Sequence, residues 1–410
     1  MKIVALMMLG LSSLAWSQTC EQNQVKLQVL GSGGPELTDG RVSSSHLIWI
    51  NGEAKVLVDL GGGSAHQFEK SKGKLNDLDV ILLTHLHVDH SADFPEFIKA
   101  FYFSERKKDL LVLGPAGNQK MPDTTDYVNQ LFGEDGAYQY LNSYLNPDKN
   151  SFYKIKASNA PLDKRSINST RINDEITVKS IAVNHGPIAA VAWRVEIGDC
   201  SITFSGDMSN QYRSLAILAE DTDLLVANNV IREDTSGVGR KLHMPPSEIG
   251  YIAKHSNPNQ LLLAHFMTRS DPVKEQAVEI IKKHYAGAVL LAEDMMLVEL
   301  KSPTAHEEVI NQPVLNHGAK WQMDTHTRDM FKTMSQRVEL GGDSRALGKA
   351  LNNDLQQLIK GCTMTGAAHD QLHVFLMPYM SAIKELSKEG TQTALEKVKK
   401  VLHEYRDYFE

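Results

Sequence analysis

Short apolar runs that end in histidine or aspartate recur through the first three hundred residues of this 410-residue chain. The run from Leu78 to Leu83 predicts a buried strand, because it is short and almost continuously apolar. A polar turn follows it, and then the segment from Phe94 to Phe103 predicts a helix. Further strand-like runs precede His185, Asp207 and His265. The pattern therefore predicts several buried strands whose ends carry polar side chains.

The pattern changes near residues 302–313, where two prolines mark a break. Beyond it, helical periodicity continues to the C-terminus and is interrupted by segments that contain glycine. The four predicted helices are Ala319–Leu340, Ser344–Lys360, Ala367–Lys388 and Thr391–Tyr408. Short connections between helices of this length favour an up-down four-helix bundle. We therefore expect one domain over residues 24–301 and an all-α bundle over residues 314–410.

The most informative motif follows the Leu78–Leu83 strand directly. Four side chains that can bind a metal lie within six positions, namely His85, His87, Asp89 and His90. Imidazole and carboxylate are ligands that zinc accepts in proteins. Alternate residues that leave a strand point the same way, so His85 and His87 can share one metal. Asp89 and His90 would then face a second metal beside the first.

This motif resembles the His-x-His-x-Asp-His signature of the metallo-β-lactamase superfamily, which also follows a buried strand. The segment Val56–Gly63 resembles the early strand of that superfamily, which ends in Asp and Gly, and the resemblance covers roughly residues 25–300. It implies an α/β fold, the αββα sandwich of the superfamily. The chain would then combine this sandwich with an appended four-helix bundle.

The resemblance also implies two zinc ions and assigns their ligands. His85, His87 and His185 are assigned to one zinc, Asp89, His90 and His265 to the other, and Asp207 bridges the two. Asp59 would orient these ligands from behind. Two such ions can hold a hydroxide between them at neutral pH, and that hydroxide would be the nucleophile.

Two features favour one branch of the superfamily, the ribonuclease Z-like and zinc arylsulfatase-like proteins. Asp207 supplies the bridging carboxylate, which the β-lactamases proper lack. His243 precedes a predicted helix, Pro246–His255, at the point where this branch carries a histidine that protonates the leaving group. Histidine suits that role because its ordinary pKa lies near neutrality. His243 and Asp89 are therefore the candidate catalytic residues.

The net charge of −7 is unlike that of an enzyme that binds a polyanion. We therefore expect a small-molecule substrate, above all a sulfate or phosphate ester, rather than nucleic acid. A lactone, a carboxyl ester or a β-lactam is the alternative within enzymes. An alternative of another class is a non-catalytic protein that binds a metal or a partner through its bundle, where His369 and His373 lie on one helical face. Packing or partner docking is the default role of the bundle.

An aromatic-rich segment, residues 117–177, separates the first motif from His185. In this superfamily, insertions near the metals often wall the substrate pocket, and aromatic rings would suit a ring-bearing substrate. The same rings could instead pack a small core of their own. The sequence favours neither interpretation.

The N-terminus predicts export. Residues 1–17 have the charge, apolar stretch and small-residue ending of a signal peptide, so we expect a secreted or periplasmic protein. No other apolar run approaches the length of a membrane span. An oxidising compartment would allow one disulfide among Cys20, Cys200 and Cys362, and the sequence leaves the pairing open.

Overall fold

In the part of the chain that the structure describes, two seven-stranded sheets and a C-terminal group of helices make up the fold. The computed structural model describes residue 20, residues 24–300, residues 313, 315 and 316, and residues 318–410. The predicted signal peptide, residues 1–17, lies outside the described residues, as does most of the predicted break at residues 302–313.

Within the described residues, fourteen strands form the two sheets. The strands are β1 (Lys26–Gly31), β2 (Ser45–Ile50), β3 (Glu53–Val58), β4 (Val80–Leu82), β5 (Leu110–Pro115), β6 (Ile155–Ala160), β7 (Asn168–Arg171), β8 (Ile176–Ala182), β9 (Val191–Ile197), β10 (Cys200–Phe204), β11 (Leu224–Asn228), β12 (Gln260–Ala264), β13 (Ala288–Leu291) and β14 (Leu297–Glu299). The first sheet has the order β14-β1-β2-β3-β4-β5-β6, and the second has the order β13-β12-β11-β10-β9-β8-β7. In each sheet one half is parallel and the other antiparallel.

Helices cover the sheets and form the C-terminal region. The α-helices are α1 (Ser64–Ser71), α2 (Val88–Ser91), α3 (Phe94–Phe101), α4 (Thr124–Phe132), α5 (Leu215–Leu218), α6 (Gly237–Leu242), α7 (Pro246–Ser256), α8 (Lys274–Lys282), α9 (Thr325–Leu340), α10 (Ser344–Gly361), α11 (Gly366–Glu389) and α12 (Gln392–Tyr408). Short 3-10 helices span Leu75–Asp77, Gln139–Tyr144 and Asp271–Val273.

Strand β4 shows why the Leu78–Leu83 run is apolar at nearly every position. Successive side chains of a strand point to opposite faces of the sheet. Val80 and Leu82 lie in the core between the two sheets, whereas Ile81 and Leu83 lie in the core between the first sheet and its helices. A strand that is buried on both faces cannot alternate apolar with polar residues. The predicted α/β sandwich with an all-α C-terminal region is thereby confirmed.

The four C-terminal helices share a core of their own, which includes Phe331, Leu351 and Tyr379. The first predicted helix, Ala319–Leu340, begins too early in the sequence. The helix begins at Thr325, because the Asp324 carboxylate accepts a hydrogen bond from the Thr327 amide and caps it. The residues before the cap pair with the C-terminus instead, through the amide of Trp321 and the carbonyl of Tyr408.

The helical region contacts the sandwich. The guanidinium of Arg165, in the loop before β7, donates to the carbonyl oxygens of Ile359 and Cys362 at the C-terminal end of α10. The Nε2 atoms of His369 and His373 lie 2.9 Å apart on α11. Within the described residues this pair is not part of a group of three potential metal ligands.

Cys20 and Cys200 form a disulfide that joins the segment before β1 to the first residue of β10. Cys362, the remaining thiol, is buried in the helical region. None of the helices in the described part of the chain combines the length and the apolar character that a membrane span requires.

One buried hydrogen bond joins the sheets beside the histidine-rich motif. Trp193 on β9 is 2% exposed, and its indole Nε1–H donates to the Leu83 carbonyl oxygen, 2.9 Å away. The amide of Val191 donates to the next carbonyl, that of Thr84. These two bonds fix the end of the first sheet against the second.

Replacing this indole should destabilise the sandwich. Trp193→Phe leaves the buried Leu83 carbonyl without its donor, so we expect the free energy of unfolding to fall by about 1–3 kcal/mol in denaturant titrations. Trp49→Phe is the matched control, since Trp49 is only half-buried and donates to the half-buried side chain of Gln28. A loss no larger than that of Trp49→Phe would contradict the proposed role of this bond.

Candidate metal centre

The ends of four strands bring the sequence-predicted residues together. The motif from Thr84 to His90 follows β4, and His185 follows β8. Asp207 follows β10, and His265 follows β12. Strand β4 belongs to the first sheet, and β8, β10 and β12 belong to the second. The site therefore lies where the strand ends of the two sheets meet.

One group of potential ligands consists of His85, His87, His185 and Asp207. One ligand atom from each lies within 4.8 Å of the others. His87 Nδ1 lies 3.4 Å from His185 Nε2, and His185 Nε2 lies 3.7 Å from Asp207 Oδ2. His85 Nε2 is buried and has no hydrogen-bond partner among the described residues. A buried polar nitrogen without a partner is costly unless something binds it.

The second group consists of Asp89, His90 and His265. His265 Nε2 lies 3.1 Å from Asp89 Oδ2 and 3.1 Å from His90 Nε2. Two imidazole nitrogens that face each other at this distance, beside a carboxylate, converge on a common point as the ligands of one cation do.

Asp207 lies between the two groups. Its Oδ1 is 3.5 Å from His265 Nε2 in the second group, while its Oδ2 is 3.7 Å from His185 Nε2 in the first. The side-chain amide of Asn228 donates to Oδ1 over 2.8 Å and holds the carboxylate in place. The donor types, their burial and the partnerless His85 nitrogen therefore fit two divalent cations, one in each group, with Asp207 reaching both.

Asp59 supports this arrangement from behind. Its carboxylate accepts hydrogen bonds from the amide and the hydroxyl of Thr84 at 2.7 and 2.8 Å. It also lies 2.7 Å from Nδ1 of His90, which leaves Nε2 of that ring to face His265. His185 is oriented in the same way, because its Nδ1 lies 2.9 Å from the carbonyl oxygen of Leu242. Such contacts select the tautomer that points a ring nitrogen at a metal.

The charges of the site depend on one another. Burial alone would lower the pKa of His90, but the neighbouring carboxylates of Asp59 and Asp89 raise it to about 10. Burial alone would raise the pKa of Asp89, yet His90 and His265 lower it to about 2. Burial likewise disfavours the charge on Asp207, but the surrounding histidines, His265 first, hold its pKa well below the usual range. The free protein therefore balances buried carboxylates with protonated histidine.

His243 lies beside the site, with its Nδ1 3.7 Å from Asp207 Oδ2 and its ring centre 5.1 Å from that of His185. Burial lowers its pKa to about 4, and the nearby Asp207 opposes this only in part. The ring is thus neutral at pH 7 in the free protein, which differs from the near-neutral pKa expected from the residue type.

Two residues that contact the potential ligands were not predicted from the sequence. Asn228 ends β11 and holds Asp207, and its place at a strand end is the same signal that marked the histidines. Gly34 packs against His265, and a Cβ there would lie 2.7 Å from that ring. A glycine by itself does not reveal such a contact in sequence.

Known proteins resemble this chain in sequence. The family model of the metallo-β-lactamase superfamily matches residues 38–249, more than half of the 410 residues. A protein named Ribonuclease Z from Methanosarcina acetivorans is 24% identical over 306 residues, which cover 67% of this chain and 98% of that protein. A Ribonuclease Z from Mycobacterium sp. (strain KMS) is 25% identical over 264 residues, which cover 61% and 87%. About a third of this chain has no counterpart in these relatives.

Solved structures resemble the fold. Human tRNase Z, short form, matches with a TM-score of 0.51 and 20% identity and covers 68% of this chain and 100% of its own. The metallo-β-lactamase fold protein YhfI from Bacillus subtilis has a TM-score of 0.50 and 21% identity and covers 67% and 98%.

These relatives correct the predicted substrate class, the predicted partners and the non-catalytic alternative. The relatives are named for the processing of RNA. The predicted substrate class, a small sulfate or phosphate ester with a lactone, a carboxyl ester or a β-lactam as the alternative, was therefore wrong. The expectation that nucleic acid is no partner was wrong as well. The non-catalytic alternative was wrong for the same reason. The net charge of −7 misled because it sums the whole chain and does not describe the surface around a site.

The sequence features and the family match point to the same family. These features are the early strand and its Asp, the His-x-His-x-Asp-His motif and the later strand-end ligands. The chain belongs to the metallo-β-lactamase superfamily, and it resembles the ribonuclease Z branch of that superfamily.

Proposed function

We propose that this chain is a zinc-dependent phosphodiesterase that cleaves RNA. The observation that carries the proposal is the pair of adjoining ligand groups that Asp207 connects. The names of the relatives support phosphodiester bonds of RNA as the substrate class.

The proposed ligands are those that the sequence predicted. His85, His87 and His185 would hold one zinc, Asp89, His90 and His265 the other, and Asp207 would contact both. When bound, two zinc ions supply a nucleophile at neutral pH and stabilise charge on the phosphate oxygens. The protein contributes the positions of the ligands: Asp59 orients His90, and Asn228 orients Asp207.

Cations near the site suit a phosphodiester. Arg240 and Lys241 are exposed on α6, directly before Leu242 and His243. Arg269 is exposed in the loop after β12, and its charge contributes to the lowered pKa of His243. Three exposed cations thus lie near the site, and phosphate contacts with such residues provide affinity that does not depend on base sequence.

His243 is the proposed proton donor to the leaving oxygen. Its ring is neutral in the free protein, because burial lowers its pKa to about 4. A bound phosphodiester would bring a negative charge beside the ring, and a nearby negative charge favours the protonated form. We therefore propose that His243 takes up its proton together with the substrate.

Substitution should separate metal binding from turnover. His87→Ala should lower the zinc content and reduce cleavage of tRNA-containing RNA roughly a hundredfold or more. His243→Ala should retain zinc and lose about 10²–10⁴ in kcat, since it removes only the proton donor. Metal analysis and gel-based cleavage assays check both.

The control for these variants is His66→Ala, since His66 is exposed on α1 away from the ligand groups. An aryl sulfate tested in parallel should be a far poorer substrate than RNA. Full activity of His87→Ala would contradict the metal mechanism, and failure of the unmodified, zinc-loaded protein to cleave any RNA would contradict the substrate.

Zinc binding should release protons. His90, with a pKa of about 10, holds a proton at pH 7.5 in the metal-free protein. The pKa of His265 is also raised, because Asp207 and Asp89 outweigh burial. A metal binds only the neutral ring, so calorimetry in buffers of different ionisation enthalpy should detect about one proton or more released per protein. Zinc affinity should rise with pH until about pH 10.

Asp59→Asn provides the control, because it removes a carboxylate that raises the pKa of His90. The released proton count should fall in this variant. Identical heats in all buffers at pH 7.5 would contradict the protonation of the ligand groups.

We also propose that the protein works outside the cytoplasm. The Cys20–Cys200 disulfide supports this, because such bonds persist mainly in oxidising compartments. Protein recovered from its native cell with an alkylating reagent present should therefore show one thiol before reduction and, since the chain has three cysteines, three after it. Three thiols without reduction would contradict this localisation.

A further inference from the structure

Four aromatic side chains are exposed together on the surface beyond the C-terminal end of α3. Phe103 is 78% exposed, Tyr140 67%, Tyr102 54% and Tyr138 37%. Their rings lie near one another, since the Tyr102 and Phe103 centres are 5.1 Å apart and those of Tyr138 and Tyr140 are 6.5 Å apart. We call these four residues the aromatic surface. Other rings of the aromatic-rich segment, Phe132, Tyr144 and Tyr153, pack into the core between the first sheet and its helices.

Lys99 lies at the centre of this surface. Its Nζ is 4.2 Å from the ring centre of Tyr102, 5.1 Å from that of Phe103 and 5.5 Å from that of Tyr140. Within the part of the chain that the structure describes, no carboxylate forms an ion pair with it. The surface therefore combines exposed ring faces with a positive charge.

The support beneath the surface is rigid. Tyr138 contacts the buried ring of Phe132, at 6.2 Å between centres, and Phe132 packs against Phe94 at the start of α3. The hydroxyl of Tyr127 on α4 donates to the carbonyl oxygen of Ser91 at the end of α2. The elements that carry the rings are thus fixed to the segment that carries the metal-binding motif.

The aromatic surface lies at the end of α3 that is farther from the metal-binding motif. Helix α3 begins four residues after His90 and ends at Phe101, and a rise of 1.5 Å per residue makes it roughly 10–12 Å long. A stacked nucleic-acid strand rises about 3.4 Å per nucleotide in the geometry of double-stranded DNA. A strand that leaves the metal centre along this helix would meet the rings after about three to five nucleotides.

The size of the surface argues against a protein partner. An aromatic side chain buries about 150–250 Å² when it is covered, so four partly exposed rings offer roughly 500 Å². A stable interface needs about 800 Å² from each partner. Unpaired bases, in contrast, each need only one ring face, and a lysine beside the rings suits the phosphates between them.

We propose that the aromatic surface is a stacking platform for a single-stranded stretch of the RNA substrate, close to the bond that is cleaved. Bases stack on Tyr102, Phe103, Tyr138 and Tyr140, and the ammonium group of Lys99 attracts the backbone phosphate. This inference rests on the proposed function, since it names how the same enzyme holds its substrate.

Binding of a short, fluorescently labelled single-stranded RNA to the full-length, metal-free protein tests this proposal without cleavage. Stacking contributes about 1–3 kcal/mol per base, so Phe103→Ser and Tyr140→Ser should each raise the Kd about five- to 150-fold. In the zinc-loaded enzyme, KM for a substrate with a single-stranded extension should rise while kcat stays unchanged. Leu340→Ser, which replaces an 87% exposed leucine at the end of α9, should change neither.

A Kd that both ring variants leave unchanged would overturn the platform. So would light scattering that shows the native protein as a dimer and these variants as monomers, because a second copy would then cover the rings. Normal RNA cleavage by the variants with unchanged KM would also reject the platform while leaving the proposed function intact. Failure of the native enzyme to cleave RNA would instead reject the proposed function.

Discussion

The position of the Asp207 carboxylate is the constraint on which the rest of the site depends. This carboxylate lies near both ligand groups, with Oδ1 next to His265 and Oδ2 next to His185. A buried carboxylate is costly without charge partners, and here the surrounding histidines hold its pKa well below the usual range in spite of burial. Asn228 of the second sheet fixes the carboxylate, and Asp59, which follows β3 of the first sheet, anchors the motif that follows β4. The site exists only where the strand ends of the two sheets meet.

Much of this arrangement could be predicted because it depends on the local pattern of apolar and polar residues. A strand buried on both faces is apolar throughout, as Val80–Leu82 is, and polar residues at its end are conspicuous. The helical region was equally clear from its periodicity, although the first predicted helix begins six residues too early. Asp324 decides that boundary through a cap and through contacts with the C-terminal end of the chain, which no local pattern contains.

Other properties arise only from tertiary contacts. The pairing of Cys20 with Cys200, which the sequence left open, depends on how the N-terminal segment approaches β10. The pKa of His243 could not be inferred from residue type, because burial lowers it to about 4. The substrate class was misjudged from a net charge of −7, although exposed Arg240, Lys241 and Arg269 lie near the site. A whole-chain sum carries no information about such a local distribution.

The central claim is that two metal ions occupy the two ligand groups. Anomalous diffraction at the zinc edge from crystals of the zinc-loaded protein tests it directly. The account predicts two peaks per chain, one among His85, His87 and His185 and the other among Asp89, His90 and His265, with Asp207 next to both. A single peak, no peak at these residues, or zinc bound only elsewhere in the chain would contradict the account.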